Sequence, residues 1–494
     1  MSLRAPILAI TSLTLLLVFF IKIIYQSRAG PLRSIPGPWY TNYSHYVLKY
    51  ETLMSRRMYY VHSLHRIYGP VVRLSPWQVA VADPEGFTAI HRIGSGFNKP
   101  KWFEAYMDKT GGLGVSFFAM SNPKEHGSRR KMFARPFSHL NLRVNCEDII
   151  REKVDKAVDR IHTEALEGNS DILKWWMLMA SDIIGQLSFG ESFRLLEAGK
   201  KNHFIKVLET AAMSITLKNE FPLLYSFCRY IPLRSVQTFL NSSNELYFYG
   251  GRAVANLRQH NSEKTMFSNI VTQTEESKLE NRNGIALSDD AIRIEASDFL
   301  LAGADTTSNT LTYVVWSILR CPDLHRRVLQ ELDLLGDNFD DAALEQLPLL
   351  NAIIQESLRL YGAVPGQLSR VVPPGGISIA GKFIPAGFEV ETQAYTMHRI
   401  SDVYCNPDRF DETRWLYPES LTPKQKSCFC SFGAGTRVCI GIHLAKMELR
   451  LGTAVLLKRC QTLKLADRTT EDSIKMWNFI LAGPIARRCE VTVE

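Results

Sequence analysis

The sequence predicts a mainly α protein with small β-sheets, an α+β arrangement built as one large domain. Three observations carry that expectation. Residues 140–330 keep a helical periodicity of apolar positions, ending in a run from about Asp289 to Arg320. Strand-like stretches are short and scattered, around Pro70, over 368–395 and at Cys489–Val493. Small sheets drawn from such distant stretches would be split by any cut in the middle of the chain, so the body reads as interwoven.

The first element is an apolar run from Ala5 to Tyr25, broken by Lys22 and a few hydroxyls. At about 1.5 Å per residue it can cross a hydrocarbon core of about 30 Å. Tyr25-Gln26-Ser27-Arg28 is unlike a small-residue cleavage site, so residues 1–28 are expected to be a retained transmembrane anchor. Lys22, Arg28 and Arg33 follow the run, against Arg4 before it, which places the body in the cytosol. Residues 29–40, with Ile35-Pro36-Gly37-Pro38-Trp39, form a proline-rich hinge and leave 41–494 as the body. Residues 61–83 alternate around Pro70 and are expected to form short strands, as in Val71-Val72-Arg73-Leu74 and Val79-Ala80-Val81.

The longest helix is bounded by local signals. Ser288 caps it, Asp289 and Asp290 occupy its first turn, and Cys321-Pro322 stops it. Its length of roughly 48 Å crosses a whole domain. Ala302-Gly303-Ala304-Asp305-Thr306-Thr307 sits in the middle. Small residues there allow close approach by something flat. A carboxylate and a hydroxyl inside an apolar helix cost free energy unless satisfied; a hydroxyl bonded back to a carbonyl one turn earlier is the ordinary way.

The chain is 46% hydrophobic and 22% charged, with a formal charge of +8. That mild, dispersed excess suits an acidic partner or an anionic membrane surface, not nucleic acid. Nine cysteines, without small-domain disulfide spacing, point to reduced thiols.

Phe432-Gly433-Ala434-Gly435-Thr436-Arg437-Val438-Cys439-Ile440-Gly441 is the densest signal. Glycines let backbone approach a planar ligand. Arg437 can pair with a carboxylate. Cys439 precedes a helical pattern (Ile442, Ala445, Leu449, Val455), and a helix N-terminus favours thiolate, the form that binds metal. Three plainer readings stay open on the residues alone: a buried structural cysteine, a phosphate loop, and a zinc site. The phosphate loop lacks its Lys-Ser/Thr. Zinc would use Cys428, Cys430, Cys439 and His443, but Cys-x-Cys is tight for its usual spacing.

The spacing F-x-x-G-x-R-x-C-x-G, met by Phe432, Gly435, Arg437, Cys439 and Gly441, resembles that of the cytochrome P-450 family. Three further stretches agree in order: Ala302–Thr307 looks like its oxygen-activation segment, Glu356-Ser357-Leu358-Arg359 like its ExxR pair, and Pro407-Asp408-Arg409-Phe410 like its P-x-R-F segment. The likeness covers roughly residues 33–494, and the anchor with its hinge fits the microsomal members.

The resemblance implies that family's fold, with the long helix over a haem and Cys439 as thiolate ligand. No Cys-x-x-Cys-His is present, so the haem is expected to be b-type, held without covalent attachment. Phe432 would shield the sulfur, the Gly435 loop would approach the cofactor, and backbone near Gly441 would donate to the sulfur. Arg130, Arg370 and Arg437 would hold the haem propionates. His126, where many members carry Trp, would add a donor. Asp305 and Thr306 would deliver protons for oxygen activation. Glu356, Arg359 and Arg409 would form a buried network holding the cysteine loop.

The implied activity is that of a haem-thiolate monooxygenase. It would oxidise a lipophilic small molecule with dioxygen and electrons from an NADPH-cytochrome reductase, on the endoplasmic reticulum membrane, single-pass, with its catalytic domain facing the cytosol. Gly362-Ala363-Val364-Pro365-Gly366 and Arg370–Gly376 look most like fungal secondary-metabolite members. Substrate contacts are expected from Trp102–Met120, Ala211–Phe221, Ala363–Leu368 and Asn478–Leu481. A member that rearranges or desaturates its substrate, and a haem-binding protein without turnover, are the alternatives; an intact Asp305-Thr306 favours oxygen activation.

Overall fold

A computed structural model of the chain describes residues 30–108, 112–260 and 287–493, with interrupted stretches within 11–25 and 265–274. The anchor expected at 1–28 lies largely outside the described residues. Among those described, no helix is long and apolar enough to cross a membrane.

Helices dominate. The ones that matter to the site are α1 (Pro123–Ala134), α2 (Glu147–Glu167), α3 (Ile172–Phe189), α4 (His203–Glu220), α5 (Arg234–His260), α6 (Asp289–Leu319), α7 (Pro348–Tyr361) and α8 (Ile442–Arg459). The α6 boundaries fall where the local chemistry puts them: the Ser288 hydroxyl accepts from the Ala291 N–H, and Asp289 and Asp290 fill the first turn. Nearly every side chain of its second half is buried, so α6 runs through the core and not over it. Two glycines let its neighbours come close. A Cβ on Gly303 would press into Ile184 of α3 at 2.8 Å, and one on Gly452 of α8 would meet Leu311 at 2.9 Å. Gly303 therefore serves helix packing rather than approach by a flat ligand.

The expectation of strands throughout 61–83 is corrected. Arg57–Tyr68 is a helix burying Met58, Val61 and Leu64 at helical spacing. Its aromatic and β-branched residues resemble a strand in composition, but the packed face decides. Strands start only at β1 (Val71–Ser75) and β2 (Gln78–Val81). They join β3 (Gln367–Val371) and β4 (Glu389–Gln393) in a four-stranded sheet of order β1-β2-β4-β3, with β2 and β4 parallel and Ala80 opposite Glu391. Glu490–Val493 pairs with both Ser170–Asp171 and Leu463–Leu465. A hairpin, β5 (Met476–Asn478) and β6 (Ala482–Pro484), lies near α6. Each larger sheet thus joins distant stretches, as expected of one interwoven domain.

Candidate active site

The cysteine loop is shaped by its own backbone. Cys439 N–H donates to the Phe432 carbonyl (2.8 Å), and Gly433 N–H to the Cys430 carbonyl (2.8 Å). Gly433 and Gly435 have φ of 76° and 62°, where an L side chain is strained. At Gly435 a Cβ would also overlap the His91 carbonyl oxygen. Its need for glycine therefore comes from the fold pressing on the loop as well as from any ligand. Gly435→Ala is expected to cost about 1–3 kcal/mol from backbone strain alone, and to loosen haem binding. Thermal unfolding with haem-loss rates checks it, and a variant with parental values would sink the idea.

Cys439 is accessible, yet burial is the largest influence on its thiol and pushes it up. The space it faces is therefore enclosed. The Gly441 backbone N–H and the Arg130 charge act in the opposite direction, favouring thiolate. On α6, Ala302 is exposed and Thr306, one turn later, half-buried, whereas Ala304, Asp305 and Thr307–Thr310 are buried. One face of the central helix thus borders open space inside the core. Phe137 links the two walls: its ring lies 5.3 Å from that of Phe299 on α6, and its edge 3.9 Å from where a Cβ on Gly441 would stand.

Cations crowd one side of this space. Burial, then neighbouring guanidinium charge, pulls Arg437 down to about 10 and Arg370 likewise to about 10. Lys99 is held well below its ordinary value by burial, Arg370 and Arg437. Arg130 on α1 is lowered by burial. His126 is driven to about 3, first by burial and then by all four of these cations, so its ring stays neutral and keeps one N–H to donate. Arg437 donates one weak bond, 3.4 Å, to the Ser121 carbonyl, and its Nη1 is buried without a partner. A concentration of like charge with an orphaned guanidinium donor is incomplete until carboxylates arrive. The donor set fits the two propionates of a haem. Lys99 is absent from the motifs; only the fold brings it here, its Nζ bonded to the Phe118 carbonyl and set over the Phe103 and Phe118 rings.

Thr306 donates its hydroxyl to the Ala302 carbonyl at 2.6 Å. Asp305 points elsewhere. Its carboxyl is pushed up to about 7, mainly by burial and then by Glu209, against the influence of Asn309, Arg487 and Lys201. Asn309 Nδ2 reaches both its side chain (3.2 Å) and its carbonyl (2.8 Å). Lys201 and Glu209, paired at 2.6 Å, are partly exposed. Asp305 therefore stands between the core and the surface.

Glu356 and Arg359 form a bidentate pair, 2.8 Å in both contacts, with both side chains fully buried. Arg359 also donates to the carbonyls of His398 (2.7 Å), Pro407 (2.6 Å) and Arg409 (3.2 Å). Glu356 accepts from Trp415 Nε1 (2.8 Å) and Asp411 N–H (2.9 Å). The expected third charge is corrected. Arg409 is exposed and contributes only its carbonyl; the guanidinium that reaches Glu356 belongs to Arg414, at 3.4 Å. An Arg-aromatic pair occurs twice, five residues apart, and only the first, Arg409-Phe410, follows a proline in the P-x-R-F spacing. In the first pair only Phe410 packs against the core and Arg409 is exposed, whereas in the second both Arg414 and Trp415 turn inward to Glu356. The zinc reading finds no support: among the described residues no group of three or more His, Cys, Asp or Glu side chains could hold a metal, and all nine cysteines are free.

A long helix through the core, a glycine-shaped cysteine loop and a cluster of cations beside an enclosed space define a cysteine-ligated haem protein. The sequence profile of cytochrome P450 matches residues 36–486. Cytochrome P450 monooxygenase stcB of Emericella nidulans is 37% identical over 470 residues, covering 94% of this chain and 89% of that protein. Cytochrome P450 monooxygenase tazI of Aspergillus terreus is 34% identical, covering 97% of each. Methylphloroacetophenone oxidase of Cladonia uncialis is 30% identical, over 81% of this chain and 90% of its own. The solved heme domain of cytochrome P450DA shares the fold, with a TM-score of 0.76 at 20% identity over 93% of this chain and 98% of that one. The chain belongs to the cytochrome P450 family and is a haem-thiolate monooxygenase.

Proposed function

We propose that this enzyme inserts oxygen into a lipophilic secondary metabolite, with Cys439 as the iron ligand and electrons drawn from NADPH through a reductase. The observation that carries this reading is the division of labour on α6: Thr306 borders the enclosed space while Asp305, about 100° round the helix, faces the charged residues near the surface. The thiolate-ligated haem, when bound, supplies the electron push that favours O–O cleavage. This chain's residues do the rest. Arg130, Arg370, Arg437 and Lys99 hold the propionates, with His126 donating. Asp305, near neutrality, takes a proton from the Lys201–Glu209 side. Thr306 releases its bond to Ala302 to order a donor in the enclosed space.

The segments expected to meet substrate bury apolar residues (Phe117, Ala211, Ile215, Ala363 and Leu481) with a few polar ones among them (Ser116, Ser214, Thr216 and Asn478). Relatives come from fungi, and one is named an oxidase of an aromatic ketone, which supports an aromatic, already oxygenated substrate.

The test is Thr306→Ala. Haem and substrate binding should survive, since alanine is the better helix former. Product per NADPH should fall, with electrons leaving as hydrogen peroxide, and Thr306→Ser should retain much of the coupling. A positioned proton donor is worth roughly 10²–10⁴ in rate, so Asp305→Asn should slow product formation over that range. A second reading, rearrangement or desaturation, draws on the Thr306 hydroxyl already being satisfied by Ala302. Product formed without NADPH consumption would favour rearrangement, and parental coupling in Thr306→Ala would show that Thr306 is only a back-bonded helix residue.

We also place the enzyme on the endoplasmic reticulum, anchored by residues 1–28 with the body in the cytosol. Support comes from the described anchor residues, Leu13, Leu17, Phe20 and Ile21, which are exposed. A second apolar patch, Leu223, Phe227, Tyr230 and Leu233, stands exposed on the body. Removing residues 1–28 should leave the haem spectrum intact and weaken membrane association without abolishing it. Loss of haem on truncation would refute a mere tether.

A further inference from the structure

We infer that His398 is a positioning residue for the thiolate: it clamps the end of α7 to the start of the cysteine loop. The inference rests on the reading of Cys439 as ligand.

The last carbonyls of a helix have no partners within it. At the end of α7 three successive ones are taken by side chains from elsewhere. Ser431 Oγ donates to the Leu358 carbonyl (2.8 Å), the His398 ring to that of Arg359 (2.7 Å), and Arg399 Nη2 to that of Leu360 (3.0 Å). Two of these groups lead directly into the cysteine loop. Ser431 is part of it, and His398 grips it with its second nitrogen, Nε2, which lies 2.9 Å from the Cys430 N–H. Cys430 then closes the turn with Gly433, and Phe432 inside that turn takes the Cys439 N–H.

The partners fix the tautomer. A carbonyl only accepts, so Nδ1 carries the hydrogen. An N–H only donates, so Nε2 is bare. A second proton on the ring would set Nε2–H against Cys430 N–H. The surroundings agree: burial is the largest influence and, with the Arg359 and Arg399 charges, holds the ring near 3, although the bond to the Arg359 carbonyl, second in size, acts the other way. The ring stacks on Phe429 at 5.4 Å and 18°, and Phe429 meets Trp415 edge-on at 4.9 Å. Trp415 is bonded to Glu356. The Glu356–Arg359 pair and the cysteine loop therefore share one frame, and His398 is the member that touches both.

The experiment uses the full chain loaded with haem. His398→Phe keeps a ring on Phe429 but removes both bonds, leaving the Cys430 N–H and the Arg359 carbonyl unpaired in the core. The larger part of the reduced, carbon monoxide-bound Soret absorbance should move from the thiolate position to that of a neutral or exchanged ligand, and the haem potential should rise. His398→Gln, whose amide offers a donor and an acceptor at nearly the spacing of the ring nitrogens, should restore the parental band. A phenylalanine variant with parental Soret position and potential overturns the inference. If that variant takes up no haem, the glutamine variant decides: one that folds with parental helix content yet lacks the thiolate band overturns it, and one that keeps the band supports it. Cys439→Ser separates the two readings. If it retains the thiolate band, the ligand assignment fails. If it loses the band while His398→Phe keeps it, only the clamp fails.

Discussion

Arg359→Leu is expected to cost about 3–5 kcal/mol and to leave a chain that cannot retain haem. The argument is one of an abandoned charge. Glu356 would stay fully buried with its strongest partner gone, and Arg414 at 3.4 Å is too distant to replace a bidentate contact. Three carbonyls, of His398, Pro407 and Arg409, would lose a donor together. Lysine is no substitute, because a point charge on a flexible stem cannot serve five acceptors in a fixed fork. Glu356→Leu/Arg359→Leu should recover part of the loss, since no lone charge remains. It should not recover all, because Trp415 and the Asp411 N–H still lose their acceptor. Denaturant unfolding and haem content measure both effects. A single variant within about 1 kcal/mol of the parent would mean that the pair is not what holds this region.

Cys439→Ser is expected to abolish product formation while leaving the fold largely intact. The loop is shaped by backbone bonds, above all Cys439 N–H to the Phe432 carbonyl, and serine keeps them. The change falls on the proposed ligand: a serine hydroxyl ionises far less readily than a thiol. The reduced, carbon monoxide-bound spectrum should lose its thiolate band. Retention of that band would move the ligand to another cysteine. Cys428 and Cys430 are poor replacements, since burial pushes the Cys428 thiol up to about 11 and the Cys430 thiol higher still.

The parts of this molecule that could be read from sequence are those whose causes are local. The ends of α6 are set by a cap, two acidic residues and a proline, all within a turn of where they act. The spacing around Cys439 is equally local. What escaped depends on chain brought from far away. Lys99 has no motif of its own and gains its meaning from Arg370 and Arg437, far along the chain. Arg414 was hidden by a repeated Arg-aromatic pair, and only burial tells the two apart. Residues 57–68 have the composition of a strand and the packing of a helix. The need for glycine at 435 was expected from a ligand, yet the His91 backbone imposes it too. His398 carries no local signal, because its two partners, Arg359 and Cys430, belong to different segments.

The parallel pairing of β2 with β4 bears on how this chain is made. Gln78 donates to Glu391, its partner 313 residues later, and Arg57 to the same carboxylate across 334. A ribosome adding about 5–20 residues per second needs roughly 15–60 s to produce the second strand after the first. Through that interval the β1–β2 ribbon has an open edge and apolar faces that include Val71, Val72, Leu74, Val79 and Val81, all buried once folding is complete. An unpaired, apolar edge is a template for the wrong partner. Yield of this enzyme in a foreign host should therefore be governed by chaperone supply and by slow, cool synthesis more than by the stability of the finished fold.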